Sequence, residues 1–123
     1  MATTGTHRDL HVWQKAMELV DLCYNVARKL PDRERFGLYS QITRAAVSVA
    51  ANIAEGHGRS GPREFANFVS IARGSLSELE TLLEVARRQG FVAEDDAGPC
   101  FACADSVGRM LTVLGNRLRE PQR

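Results

Sequence analysis

Residues Gln41 to Arg59, QITRAAVSVAANIAEGHGR, read as a helix that is apolar almost all the way round. Ile42, Ala46, Val49 and Ile53 recur at helical spacing, while Ala45, Val47, Ala50, Ala51 and Ala54 fill much of the remaining circumference. A helix with so little polar surface must be covered on more than one side, within a large core or by another chain. The chain has 123 residues, enough for one domain and one core, which brings the second option forward. One polar line crosses this helix. Arg44, Ser48, Asn52 and Glu55 follow at steps of four, four and three, which hold them on a single stripe. Charged groups on a covered face need partners, so the stripe is a candidate structural or interface element.

The rest of the chain divides into helical segments with clear punctuation. Asp9 is placed to cap a first helix over about residues 10–30, with Val12, Ala16, Leu19, Leu22, Cys23, Val26, Ala27 and Leu30 as its apolar stripe. Pro31 and Asp32 break it. The second helix is expected from Arg33 or Glu34 to Gly56, with Gly56, Gly58 and Gly61 as the stop. Pro62 suits the first turn of a third helix, which buries Phe65, Phe68, Val69, Ala72, Leu76, Leu79, Leu83 and Ala86 and ends at Gly90. A fourth begins at Asp95 or Asp96, tolerates Pro99, and uses Phe101, Ala104, Val107, Leu111, Leu114 and Leu118. No stretch alternates as a strand would. The expectation is an all-α, up-down-up-down antiparallel four-helix bundle over residues 9–120, with a flexible segment at 1–8 and a tail at 121–123.

The third helix is apolar beyond one stripe, because Ile71 and Leu82 lie off its core face. Helices two and three are therefore the candidate subunit interface of a homo-oligomer. A hairpin turn at Arg59 and Ser60 sets Arg44 within a turn of Glu78 and Asn52 opposite Asn67, so Arg44 and Glu78 are expected to pair. Gly74 and Ser75 are read as small residues that let the second helix approach closely.

The formal net charge is +1, so bulk charge does not call for nucleic acid or a membrane. Up to Arg73 there are ten basic and seven acidic residues, and from Gly74 six and eight, a weak polarity. Arg28, Lys29, Arg33 and Arg35 gather at the first turn and Arg59 and Arg63 at the second, the candidate nucleic-acid contacts. Repetition around a ring would make such weak patches multivalent. Trp13 is read as core or interface rather than a base-stacking platform.

Cys23, Cys100 and Cys103 are odd in number, with no apolar leader and no stretch long enough to span a bilayer, which points to a reducing cytoplasm and no membrane. The pairs His7/His11 and Cys100/Cys103 lie at the starts of different helices, so no metal site is expected and the thiols are read as small buried apolar groups. Ser48, Asn52, Glu55 and His57 could be drawn as an acid-base set. The chain nevertheless lacks a phosphate loop, a nucleophile elbow or a zinc-protease motif, and neither enzyme activity nor a cofactor is expected.

The blocks LHVWQKAMEL at 10–19, GLYSQITRAAVSVAANIAEGHGR at 37–59 and EFANFVSIARGSLSELETLL at 64–83, with the apolar fourth helix, resemble the 23S rRNA-intervening sequence proteins. That group includes the accessory variability determinants of diversity-generating retroelements. The resemblance implies a bundle assembled into a homopentameric, barrel-like ring with no catalytic activity. It also implies a reverse transcriptase or another ribonucleoprotein component as partner, with nucleic acid held on basic surfaces. The retroelement members are strongly basic and this chain is near neutral. The resulting expectation is a non-enzymatic oligomeric adaptor, with direct RNA or DNA binding by a ring as the alternative.

Overall fold

A computed structural model describes residues 5–121. Among them the chain forms four α-helices: α1 (His11–Ala27), α2 (Leu38–His57), α3 (Pro62–Arg88) and α4 (Glu94–Leu118). No strand occurs among the described residues. Each helix packs against two neighbours, α1 on α2, α2 on α3, α3 on α4 and α4 on α1, and the diagonal pairs do not approach. Lys29, just past the end of α1, reaches Asp96 in the first turn of α4 at 2.8 Å, as an antiparallel pair requires.

The apolar stripes account for this arrangement. Leu19, Ile42, Val49, Ile53, Val69, Leu79, Leu83, Val107 and Leu111 are wholly or almost wholly buried and meet in one continuous core. Stripes at three- and four-residue spacing can be removed from water together only by facing inward around a common axis. Leu22, Phe65, Leu82, Phe101, Leu114 and Leu118 pack partly buried against its edge.

The boundaries depart from expectation where local chemistry overrides periodicity. Asp9 does not cap α1. It ends a 3-10 turn at His7–Asp9, whose first two residues belong to the segment read as flexible, and the Thr6 side chain accepts from the Arg8 N–H at 3.1 Å to cap that turn. Residues 1–4, and 122 and 123 of the expected tail, lie outside the described residues. The second helix starts later than expected. Asp32–Glu34 forms a separate 3-10 turn, and Gly37, at ψ −110°, lies outside helical geometry. The Glu34 carboxylate then accepts from the Leu38 N–H at 3.1 Å, supplying a partner to one of the amide donors that a helix start leaves open. Thr43 is the buried polar residue of α2; its hydroxyl hydrogen-bonds the Tyr39 carbonyl at 2.9 Å.

Gly56 does not stop α2, which runs one residue further. It is buried, and a Cβ there would lie 2.6 Å from the Phe68 Cβ and 2.9 Å from the Phe65 ring. The glycine lets the lower halves of α2 and α3 come together. The turn is made at Gly61, whose φ of +89° suits a residue without a side chain.

Candidate functional site: the outer face of the α2–α3 hairpin

The polar stripe separates into distinct parts. Ser48 Oγ and Ser75 Oγ lie 2.8 Å apart, a hydrogen bond joining α2 to α3. The Asn52 amide donates to the Ser48 carbonyl at 2.8 Å and to its hydroxyl at 3.0 Å. Ser48, Asn52 and Ser75 are therefore one half-buried network. Glu55 belongs elsewhere, exposed and paired with Arg59 at 2.8 Å.

Arg44 and Glu78 do not form the expected ion pair. Both are exposed within the chain, and neither carries a salt bridge among the described residues. The hairpin register is not the cause, because it sets Arg44 level with Leu79, beside Glu78, and both side chains are exposed to solvent. Ser48 meets Ser75 about one helical turn further along α3 than a turn at Arg59 and Ser60 would place it, because α2 continues to His57 and the reversal centres near Gly61. That slip separates Asn52 from Asn67, which is exposed. Ser75 supplies the close contact expected of the Gly74–Ser75 pair. Gly74 itself is exposed, with nothing within 4 Å of where its Cβ would stand.

Apolar groups flank the network. Val47 is 43% exposed and Ile71 50% exposed, and Ala51, one turn after Val47 on α2, is also open to solvent. On the other side of α3, a groove of about 690 Å³ runs along α4, lined by Gly74, Ser77, Gly108 and Thr112 with Val113 at its edge. Val113 is 55% exposed. Glu80 faces Asp105 there, and burial, followed by the Asp105 charge, pushes its carboxyl above the ordinary range. One turn on, hydrogen bonds from Arg87 and Arg88 hold Glu84 down at about 2.

The six candidate phosphate contacts fall at opposite ends of the bundle. Arg28, Lys29, Arg33 and Arg35 lie where α1 ends and α2 begins; Arg59 and Arg63 lie where α2 ends and α3 begins. Most are already engaged. Arg28 donates to the Asn25 side chain, Lys29 bridges to Asp96, Arg33 lies over Phe91 at 5.3 Å and Arg59 over Phe68 at 5.0 Å. Arg63 is exposed and has no side-chain hydrogen bond or salt bridge among the described residues. Trp13 is packed partly against the core, with His7 edge-on at 5.0 Å and Arg8 over its ring at 5.7 Å. His57 stands edge-on to Phe65, away from the Ser48–Asn52 network, so the four polar residues of α2 do not converge as an acid-base set. Cys23, Cys100 and Cys103 are all buried, and no group of His, Cys, Asp and Glu among the described residues is arranged to hold a metal ion.

The profile of the 23S rRNA-intervening sequence proteins matches residues 8–113, from the first turn to the last third of α4. The chain belongs to that family. A crystal structure from Bacteroides thetaiotaomicron, of a protein of unknown function from the S23 ribosomal protein family, shares the fold with a TM-score of 0.77. The two are 23% identical, and the match covers 84% of this chain and 96% of that one. Comparison with curated proteins gave no match. The family match extends across the Ser48–Asn52–Ser75 seam and its apolar flanks. No helix among the described residues is long and apolar enough to cross a membrane.

Proposed function

We propose that this 23S rRNA-intervening sequence family protein is a cytoplasmic, non-catalytic homo-oligomeric scaffold, joined through the outer face of its α2–α3 hairpin. The observation that carries the reading is the pairing of exposed Val47, Ala51 and Ile71 with the half-buried Ser48–Asn52–Ser75 network on one face. Single exposed apolar residues are ordinary on a protein surface; clustered beside an organised polar seam, they suit an interface core with directional bonds at its centre.

The family resemblance supports a pentameric ring and an adaptor role toward a reverse transcriptase or another ribonucleoprotein component. Light scattering on the purified chain tests the assembly. The expected mass is a multiple of 13.6 kDa, five-fold for the pentamer. Replacing Ile71 with arginine should return the protein to its monomeric mass with its helical content intact. A wild-type monomer at tens of micromolar would end the scaffold reading.

Direct binding of RNA or DNA is the second reading, favoured by the unpaired, exposed Arg63 beside the α2–α3 turn. Titration of a labelled structured RNA at low and near-physiological salt separates the two. A phosphate-binding ring should lose affinity steeply as salt rises, because each neutralised phosphate releases close to one counterion. Absence of binding at low salt leaves the protein-partner reading alone.

A further inference from the structure

The groove between α3 and α4 carries a carboxylate without a cation. Glu80, half-buried on the α3 wall, has no salt bridge among the described residues, whereas Asp105 opposite is paired with Arg109. Burial, and then the Asp105 charge, disfavour the ionised form of Glu80, a cost that an incoming cation would offset. Beside it the groove is shallow, lined by Ser77 and Gly108, with exposed Val113 at its edge. The hairpin face carries the counterpart. Arg44 is exposed there without a salt bridge among the described residues, with Val47 and Ala51 one and two turns further along α2.

The two surfaces agree in level along the bundle. The Ser48–Ser75 bond sets α2 against α3, so Arg44 lies level with Leu79, Val47 with Leu76 and Ala51 with Ala72. On the far side of α3, a Cβ on Gly108 would stand 3.3 Å from the Leu76 side chain, and one on Gly115 would stand 3.5 Å from that of Val69. These two contacts set α4 against α3. They place Asp105 level with Leu79, Thr112 with Ala72 and Val113 with Ile71. Arg44 is therefore at the height of Glu80 and Asp105, Val47 at that of Gly108, and Ala51 at that of Thr112 and Val113.

We propose that the α3–α4 groove receives the hairpin face of a second copy of this chain, standing alongside and the same way up, with the partner's Arg44 set against Glu80. This contact rests on the homo-oligomeric reading above and supplies what a ring needs beyond it. Subunits that close a ring by rotation meet through two different patches, one on each side of the contact. The hairpin face is one patch and the groove is the other. Neighbouring faces of a four-helix bundle stand roughly at right angles, a relation that closes a small ring rather than a straight filament. Rotation about an axis along the bundle keeps every residue at its height. Arg44 then arrives at the level of Glu80, Val47 over Gly108, where no side chain stands, and Ala51 beside Val113. Glu78, next to Arg44 on the hairpin face, comes within a turn of Arg109 on the groove's rim, so opposite charges meet in both directions and fix the register.

Within one chain Arg44 and Glu80 lie on different sides of α3 and form no ion pair, so coupling between them acts between copies. The test is light scattering on the full chain over a dilution series from tens of micromolar, with circular dichroism to check folding. The wild-type chain should assemble. Arg44→Glu and Glu80→Arg should each raise the concentration of half-dissociation by about tenfold or more, and the double variant carrying both should return close to wild type. An equal mixture of the two single variants should form oligomers that neither forms alone. Val113→Arg, at an exposed position on the same groove, should act as Glu80→Arg does, and it replaces that variant if Glu80→Arg loses helical content. An assembled wild type whose mass the groove variants leave unchanged would overturn the groove as the contact and leave the scaffold reading standing. Single variants that dissociate without recovery in the double variant would overturn the pairing. A monomeric wild type would remove the scaffold reading, and this contact with it.

Discussion

Leu79→Ala should lower the stability of the folded chain by about 3–4 kcal/mol. Leu79 lies midway along α3, fully buried, in the core shared with Ile42, Val49 and Leu83. Truncation removes the transfer free energy of the missing carbons and leaves a void that close-packed neighbours fill only in part. For a domain of this size the melting temperature should fall by roughly 10 °C or more. Urea unfolding followed by circular dichroism, at one fixed protein concentration, measures it. A loss under about 1 kcal/mol would mean that the centre of the bundle is loose enough to collapse around the gap.

Gly56→Ala is the second large effect, and its direction runs against helix propensity. Alanine is favoured over glycine within a helix by roughly 1 kcal/mol. At Gly56, however, the added Cβ would meet the Phe68 Cβ at 2.6 Å, the Phe65 ring at 2.9 Å and the Phe65 carbonyl oxygen at 3.3 Å. The Phe65 ring can turn, but the Phe68 Cβ is fixed to the α3 backbone, so the helices must separate. Overpacking of this kind costs about 1–3 kcal/mol, so after the propensity gain a net loss of up to about 2 kcal/mol is expected. Gly74→Ala is the control, because that position is open and the propensity gain should appear undiminished in the isolated chain. If the two variants shift the urea midpoint in the same direction, the close approach of α2 and α3 is not what holds Gly56 in place.

These two glycines also mark how far the sequence could be read. The periodicity of Val12, Ala16, Leu19 and Cys23 in α1, or of Val69, Ala72, Leu76, Leu79 and Leu83 in α3, identifies the buried face, and every one of these side chains is buried. Spacing reports which way a side chain points. It carries no information on how near the next helix comes. Pattern alone makes Gly56 a helix stop and Gly74 a packing residue, whereas the contacts assign close packing to Gly56 and none to Gly74. Register failed for a related reason. The level at which Ser48 meets α3 is set by the path of the chain through Gly58 to Gly61, and a one-turn difference there separates Asn52 from Asn67, while Arg44 comes level with Glu78 and both stay exposed without pairing. The start of α2 depended on the Glu34 side chain reaching the Leu38 amide, a contact made by chain geometry rather than by pattern. The polar stripe was legible as a stripe. Its division into a Ser48–Asn52–Ser75 network and an independent Glu55–Arg59 pair was not, because it depends on which partners α3 and the turn present.

The separation of the basic residues has a consequence for any ring built from this chain. α3 alone, at 27 residues, is about 40 Å long, and the two groups lie at its opposite ends. One end carries Lys29, Arg87 and Arg88, tied to Asp96, Glu84 and Glu94. The other carries all three histidines, His7, His11 and His57, with Arg8, Arg63, Arg117 and Arg119. Copies related by rotation alone all stand the same way up. If the bundle axis ran along the rotation axis, such an assembly would present unlike ends, one with Lys29, Arg87 and Arg88 held by carboxylates and one with the histidines, and so would have a direction.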